Sequence, residues 1–250
     1  MLEKLLRPFL NWRRLDLRSA KSRLAPIRAR HVEISALFSL DDDPATPNER
    51  LLQTALSSIR RAQEIYLPGL LQRGAPGLAS TWPGEHYRLL AALVDVLQPQ
   101  TVVEVGTYQG LSALAMLERL PEGAVLTTFD VLPWGQIEGS YLRQEDLVSG
   151  QLVPIAADLS QPTIAVEYAG LLRQADLIFL DAAKDGSLEQ RLLDNFDALG
   201  LQEGALVVLD DIRLWNMLHI WRSIRRPKLD LTSFGHWSGT GLVDWRLPKP

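Results

Sequence analysis

The sequence predicts an α/β protein with a doubly wound, mostly parallel sheet of seven strands and an N-terminal helical extension. Three observations predict it. From residue 101 onward, short apolar runs alternate with helical segments, the pattern of repeated strand–helix units. The runs are continuously apolar, as parallel strands buried on both faces require. Residues 1–100 instead read as mostly helical.

Residues 1–80 form the expected extension, and residues 81–250 the expected catalytic domain. Nine of the first 30 residues are Lys or Arg against Glu3 and Asp16, a net of +7, which leaves −11 on the remaining 220. Leu2, Leu5, Leu6 and Phe9 recur at helical spacing among these bases. A basic amphipathic segment can lie on an anionic membrane or serve in targeting. Packing on its own or a neighbouring subunit is the preferred reading, with a homodimer as the expected assembly. The acids at 41–43 with Pro44 and Pro47 mark a linker. Thr46-Pro47-Asn48-Glu49 reads as a capping box. Leu51, Leu52, Ala55, Leu56, Ile59, Ala62 and Ile65 then follow at helical period until Pro68-Gly69.

A further helix is expected over 86–97, entered through Trp82-Pro83-Gly84. Strands are expected at 101–105, 124–129, 152–156, 177–180 and 205–209. Leu188, Leu192, Leu193 and Phe196 make a helical stripe, capped by Ser187 with Gln190 and closed by Gly200. Two more strands are expected within 231–245, around a Gly239-Thr240-Gly241 turn.

Composition narrows the function. With 46% hydrophobic and 22% charged residues the chain is globular rather than disordered. No apolar stretch approaches the ~18 residues of a membrane span. The absence of cysteine excludes a disulfide scaffold and a thiol nucleophile. Four scattered histidines (His31, His86, His219, His236) give no zinc pattern. A net charge of −4 argues against a nucleic-acid partner. A cytoplasmic location is expected.

In a sheet of this kind ligands bind beyond the carboxyl ends of the strands. An acid stands at or next to the end of every one of the five runs: Glu104, Asp130, Asp158, Asp181 and Asp210-Asp211. Gly106 permits a sharp turn after the first strand, and Gly110 lets a helix begin close to a ligand. Asp130 closes the second strand where an acid can hold ribose hydroxyls. These features favour nucleoside binding. Asp181, Asp210 and Asp211 in one cleft would repel one another. A hard divalent cation removes that repulsion, and oxygen ligands suit Mg²⁺, Ca²⁺ or Mn²⁺. The simpler alternatives are a loop ion pair for Asp181 and Lys184, and a helix N-cap for Asp210-Asp211. Trp215, Trp221, Trp237 and Trp245 could line an acceptor pocket, but core or interface packing is the favoured role.

The segment Glu104-Val105-Gly106-Thr107-Tyr108-Gln109-Gly110-Leu111-Ser112-Ala113 resembles the first motif of class I S-adenosylmethionine-dependent methyltransferases. More narrowly, it resembles the catechol and caffeoyl-CoA O-methyltransferase group. Asp181-Ala182-Ala183-Lys184-Asp185 is similar to that group's D-x-x-K-D element, and Asp210-Asp211-Ile212-Arg213-Leu214-Trp215 to its D-N element. The resemblance covers about residues 84–250. It implies a Rossmann-like fold with a cofactor site at Glu104, Gly106, Tyr108, Gly110, Ser112, Asp130 and Asp158. Asp130 would hold the ribose, Asp158 would lie near the adenine, and Ser112 would meet the methionine carboxylate. It also implies a divalent cation on Asp181, Asp210 and Asp211, Mg²⁺ first among the candidates, and Lys184 as the base. One departure is that Asp211 stands where the group commonly has Asn, which leaves three carboxylates on a divalent ion at −1 and weakens its acidification of a bound hydroxyl. The expected activity is metal-assisted O-methylation of a small hydroxylated acceptor. The alternatives are a NAD(P)-dependent oxidoreductase, which the incomplete glycine fingerprint disfavours, and a non-catalytic cofactor-binding partner protein.

Overall fold

A computed structural model describes residue 43 and residues 45–84, 86–234 and 238–245. The basic segment at 1–30, most of the linker at 41–43, His31, His236 and Trp237 lie outside the described residues. Helices α1 (Glu49–Glu64), α2 (Pro68–Gln72) and α3 (Tyr87–Leu97) lead into β1 (Thr101–Val105). There follow α4 (Leu111–Leu117), β2 (Val125–Asp130), β3 (Leu152–Ala156), α5 (Pro162–Glu167), α6 (Ala169–Gln174) and β4 (Leu177–Leu180). The remaining described elements are α7 (Leu188–Leu199), β5 (Leu206–Asp210), α8 (Met217–Ser223), β6 (Lys228–Asp230) and β7 (Thr240–Asp244).

The seven strands form one sheet in the order β3-β2-β1-β4-β5-β7-β6. All pairings from β3 to β5 are parallel, and β7 is antiparallel to both β5 and β6. This is the doubly wound, Rossmann-like arrangement expected. Successive strand residues point to opposite faces. Leu206 and Val208 of β5 therefore join one apolar cluster, with Leu51, Leu90 and Met116. Val207 and Leu209 join the other, with Phe196, Ile220 and Trp221. Both faces are covered, which is why the strands read as unbroken apolar runs. The described helices before residue 80 share the first cluster with the sheet.

Helix α1 buries Leu51, Ala55, Ile59 and Ala62 at helical spacing. Its cap is Asn48 rather than Thr46: the Asn48 side chain accepts from the Leu51 amide at 2.9 Å. Asn48 also donates to Asp244 at 2.9 Å, so the cap ties α1 to the end of β7. At α7, Ser187 makes no side-chain cap. Asp185 takes that role, its Oδ1 accepting from the Ser187 and Leu188 amides at 2.8 Å each. Gly239–Gly241 is not a turn. Thr240 pairs with Asp210, which draws residues 240 and 241 into β7 and leaves the connection at 231–239. Trp221 and Trp245 are buried in the second cluster. Among the described residues, no helix is long and apolar enough to cross a membrane.

Candidate active site

The strand order reverses between β1 and β4, since β2 and β3 extend one way and β4 and β5 the other. Crevices at the carboxyl ends of such a switch point are where ligands enter this class of sheet. Gly106, just after β1, has φ +105°, and a β-carbon there would stand 1.8 Å from the Asp181 carbonyl oxygen. Only glycine permits this approach of the two strand ends.

A cavity of about 340 Å³ opens at this point, with Gly106, Tyr108, Asp130, Asp158, Asp181 and Leu192 on its wall. Asp130 is fixed by two backbone donors, the amides of Tyr108 at 2.9 Å and Leu132 at 3.1 Å. Each carboxylate oxygen keeps a further lone pair for a ligand. Asp158 accepts from the Ser160 amide and from Gln161 Nε2. Partial burial pushes its carboxyl up, but those hydrogen bonds prevail and hold it below the ordinary value.

Glu104, Gly110 and Ser112 do not reach the cavity wall. Glu104 is fully buried, accepting from Ser112 Oγ and Thr128 Oγ1 at 2.5 Å each. Burial raises its carboxyl to about 8, although both hydroxyls oppose the rise. Gly110 caps α4 at φ +83°, and the space a side chain would need is filled by Leu142.

Asp181 borders a second constellation. Lys184 Nζ is ion-paired with Asp181 and lies 3.4 Å from Asp211 Oδ2 and 3.9 Å from Asp210 Oδ2. The loop before α7 delivers it there. Glu189, buried in the first turn of α7, accepts from the Lys184 amide at 2.6 Å and the Gly186 amide at 3.1 Å. Burial disfavours the Lys184 ammonium, but Asp181, Asp210 and Asp211 outweigh it and hold its pKa above the ordinary lysine value. Asp211 Oδ1 accepts from Ser238 Oγ. Neither Asp210 nor Asp211 caps a helix, because α8 starts at Met217 behind Asn216.

Sequence reasoning passed over His86. It is 3% exposed, with Nδ1 3.4 Å from Asp210 Oδ1. Donor atoms of His86, Asp181 and Asp210 all lie within 4.8 Å of one another. A signal was present: a helix that feeds a parallel strand begins at the carboxyl edge of the sheet, so the residue opening α3 is delivered to the ligand edge. A larger cavity, about 870 Å³, sits by the far end of β7 among Asn48, Arg50, Arg226 and Trp245, away from these acids.

A family model for a methyltransferase domain matches residues 103–212, from β1 to just past Asp211. A Mycobacterium sp. (strain KMS) protein named for O-methyltransferase activity is 31% identical over 154 residues, covering 52% of this chain and 70% of that protein. The chain belongs to the class I S-adenosylmethionine-dependent O-methyltransferases. Mouse catechol O-methyltransferase is 31% identical over 129 residues, half of this chain and 47% of the mouse protein. Among solved structures, an SAH-bound methyltransferase of Podospora anserina has 17% identity and a TM-score of 0.49, covering 78% of this chain and 88% of that one. Membership of the family, shown by the mycobacterial relative, makes the protein an S-adenosylmethionine-dependent methyltransferase, and the oxidoreductase alternative falls away.

Proposed function

We propose that the enzyme methylates a hydroxyl of a small molecule with the help of a divalent cation held by the acid cluster. The observation that carries the cation is the convergence of donors: atoms of His86, Asp181 and Asp210 lie within 4.8 Å of one another, around an aspartate that is only 3% exposed. Carboxylates brought this close repel one another, and a divalent cation between them would relieve that repulsion. The donors are carboxylate oxygens with an imidazole beside them, which fits such an ion.

For the cofactor, Gly106 opens the crevice, and Tyr108, Asp130 and Asp158 form its wall. Asp130 takes the ribose hydroxyls and Asp158 lies toward the adenine. Glu104 and Gly110 shape the wall from behind, and Ser112, held on Glu104, supports the methionine end. S-adenosylmethionine supplies the electrophilic methyl on its sulfonium, and a bound divalent cation lowers the pKa of the acceptor hydroxyl. Methyl transfer forms a C–O bond as the C–S bond breaks, so alignment of the acceptor oxygen governs much of the rate. Lys184, held charged by its acids, keeps its proton on Nζ, so the acceptor hydroxyl would release its proton to solvent and the ammonium would stabilise the negative charge left on that oxygen.

The test is transfer of labelled methyl from S-adenosylmethionine to a panel of hydroxylated small molecules, with and without chelator. Transfer that chelator stops is expected. Undiminished transfer in excess chelator would remove the cation and leave the methyltransferase.

A further inference from the structure

We infer that His86 is a nitrogen ligand of the cation site, making it a mixed imidazole–carboxylate centre. Such a centre takes a later first-row dication such as Co²⁺ in preference to Mg²⁺ or Ca²⁺. The inference rests on the cation reading above and changes its ligand set: His86 with Asp181 and Asp210, rather than Asp211 with Asp181 and Asp210.

Geometry separates the two sets. His86, Asp181 and Asp210 present donor atoms within 4.8 Å of one another, and His86 Nδ1 stands 3.4 Å from Asp210 Oδ1. Two donors on one ion at roughly 2.1 Å each are about 3.0–3.4 Å apart at octahedral to tetrahedral angles. Asp211 stands outside that group, and its Oδ1 accepts from Ser238 Oγ. The imidazole is held in place: His86 opens α3, and its ring lies 4.6 Å from that of Tyr87 and 5.5 Å from that of Phe179 on β4.

Imidazole nitrogen favours later first-row metals, whereas Mg²⁺ and Ca²⁺ favour oxygen-only shells.

The full-length enzyme, stripped with chelator and loaded with Mn²⁺, tests this by pulsed electron paramagnetic resonance. Coupling from a directly bound ¹⁴N is expected, and His86→Gln should abolish it. By calorimetry, His86→Gln should weaken Co²⁺ by about tenfold or more while changing Mg²⁺ affinity far less. Bound Mn²⁺ without ¹⁴N coupling in the unaltered enzyme overturns the inference, as does an equal loss of both metals; the first readout stands even if the variant does not fold. Failure of Mn²⁺, Co²⁺ and Mg²⁺ all to bind would instead remove the cation reading, and the ligand role with it.

Discussion

Asp130 shows how the fold fixes a single carboxylate in a crevice. The Tyr108 and Leu132 amides orient it, one to each oxygen, before any ligand arrives. Asp130→Ala should weaken S-adenosylmethionine binding by about 1.5–3 kcal/mol, the range for a hydrogen bond to a charged group. Calorimetric titration measures this, and unchanged affinity in a folded variant would take Asp130 out of the site. Glu104 behaves in the opposite way. Its carboxyl is raised from 4.5 to about 8, so between those values the folded chain keeps a proton that the unfolded chain has released. Stability therefore falls as pH rises through that window. Glu104→Gln, which cannot ionise, should flatten this dependence. Urea midpoints at pH 5 and pH 8 provide the comparison, and an equal decline in both proteins would rule out Glu104 as its source.

At the scale of elements, the loop between β4 and α7 sets the position of Lys184, and α7 sets the loop. Lys184 adopts φ +60°, a left-handed backbone held by the Glu189 carboxylate on two amides. Glu189→Ala should slow methyl transfer while leaving S-adenosylmethionine affinity nearly unchanged, because Asp130 and Asp158 lie across the cavity on other elements. Parallel loss of affinity and rate would mean that the whole crevice had collapsed. The strands were legible because both faces of the sheet are covered, so three of the five parallel runs have the bounds read from hydropathy and two shift by one residue. Caps were less legible. At both α1 and α7 the sequence pattern named a Thr or Ser, but a side chain two residues away had the better partners: Asn48 reaches Asp244, and Asp185 reaches two amides. His86 was illegible by spacing, since it meets Asp181 and Asp210 only through the packing of α3 on the sheet. Asp211 was legible as an acid at a strand end, but its turn toward Ser238 depends on the return of the chain into β7.

Across the whole molecule, α1 fastens the antiparallel edge of the sheet. Asp244 at the end of β7 is fully buried and takes Arg50 Nη1 and Asn48 Nδ2 at 2.9 Å each. Arg50 is partly exposed, so its share is discounted. Arg50→Ala should cost about 1–2 kcal/mol and lower the melting temperature by roughly 2–8 °C in a chain of this size. Cofactor affinity should not change, because this contact is remote from the crevice. A melting temperature equal to that of the unaltered enzyme would show that Arg50 adds nothing to the hold on Asp244.

Asp181 belongs to two neighbourhoods, for its residue lines the cavity at the switch point and its carboxylate faces Lys184 and His86. A group shared in this way makes two binding equilibria interdependent. Whatever factor a metal ion applies to the dissociation constant of S-adenosylmethionine, the cofactor must apply equally to that of the ion. If the proposed cation binds, it and S-adenosylmethionine are heterotropic effectors of one another, and Asp181→Asn should bring that shared factor close to one.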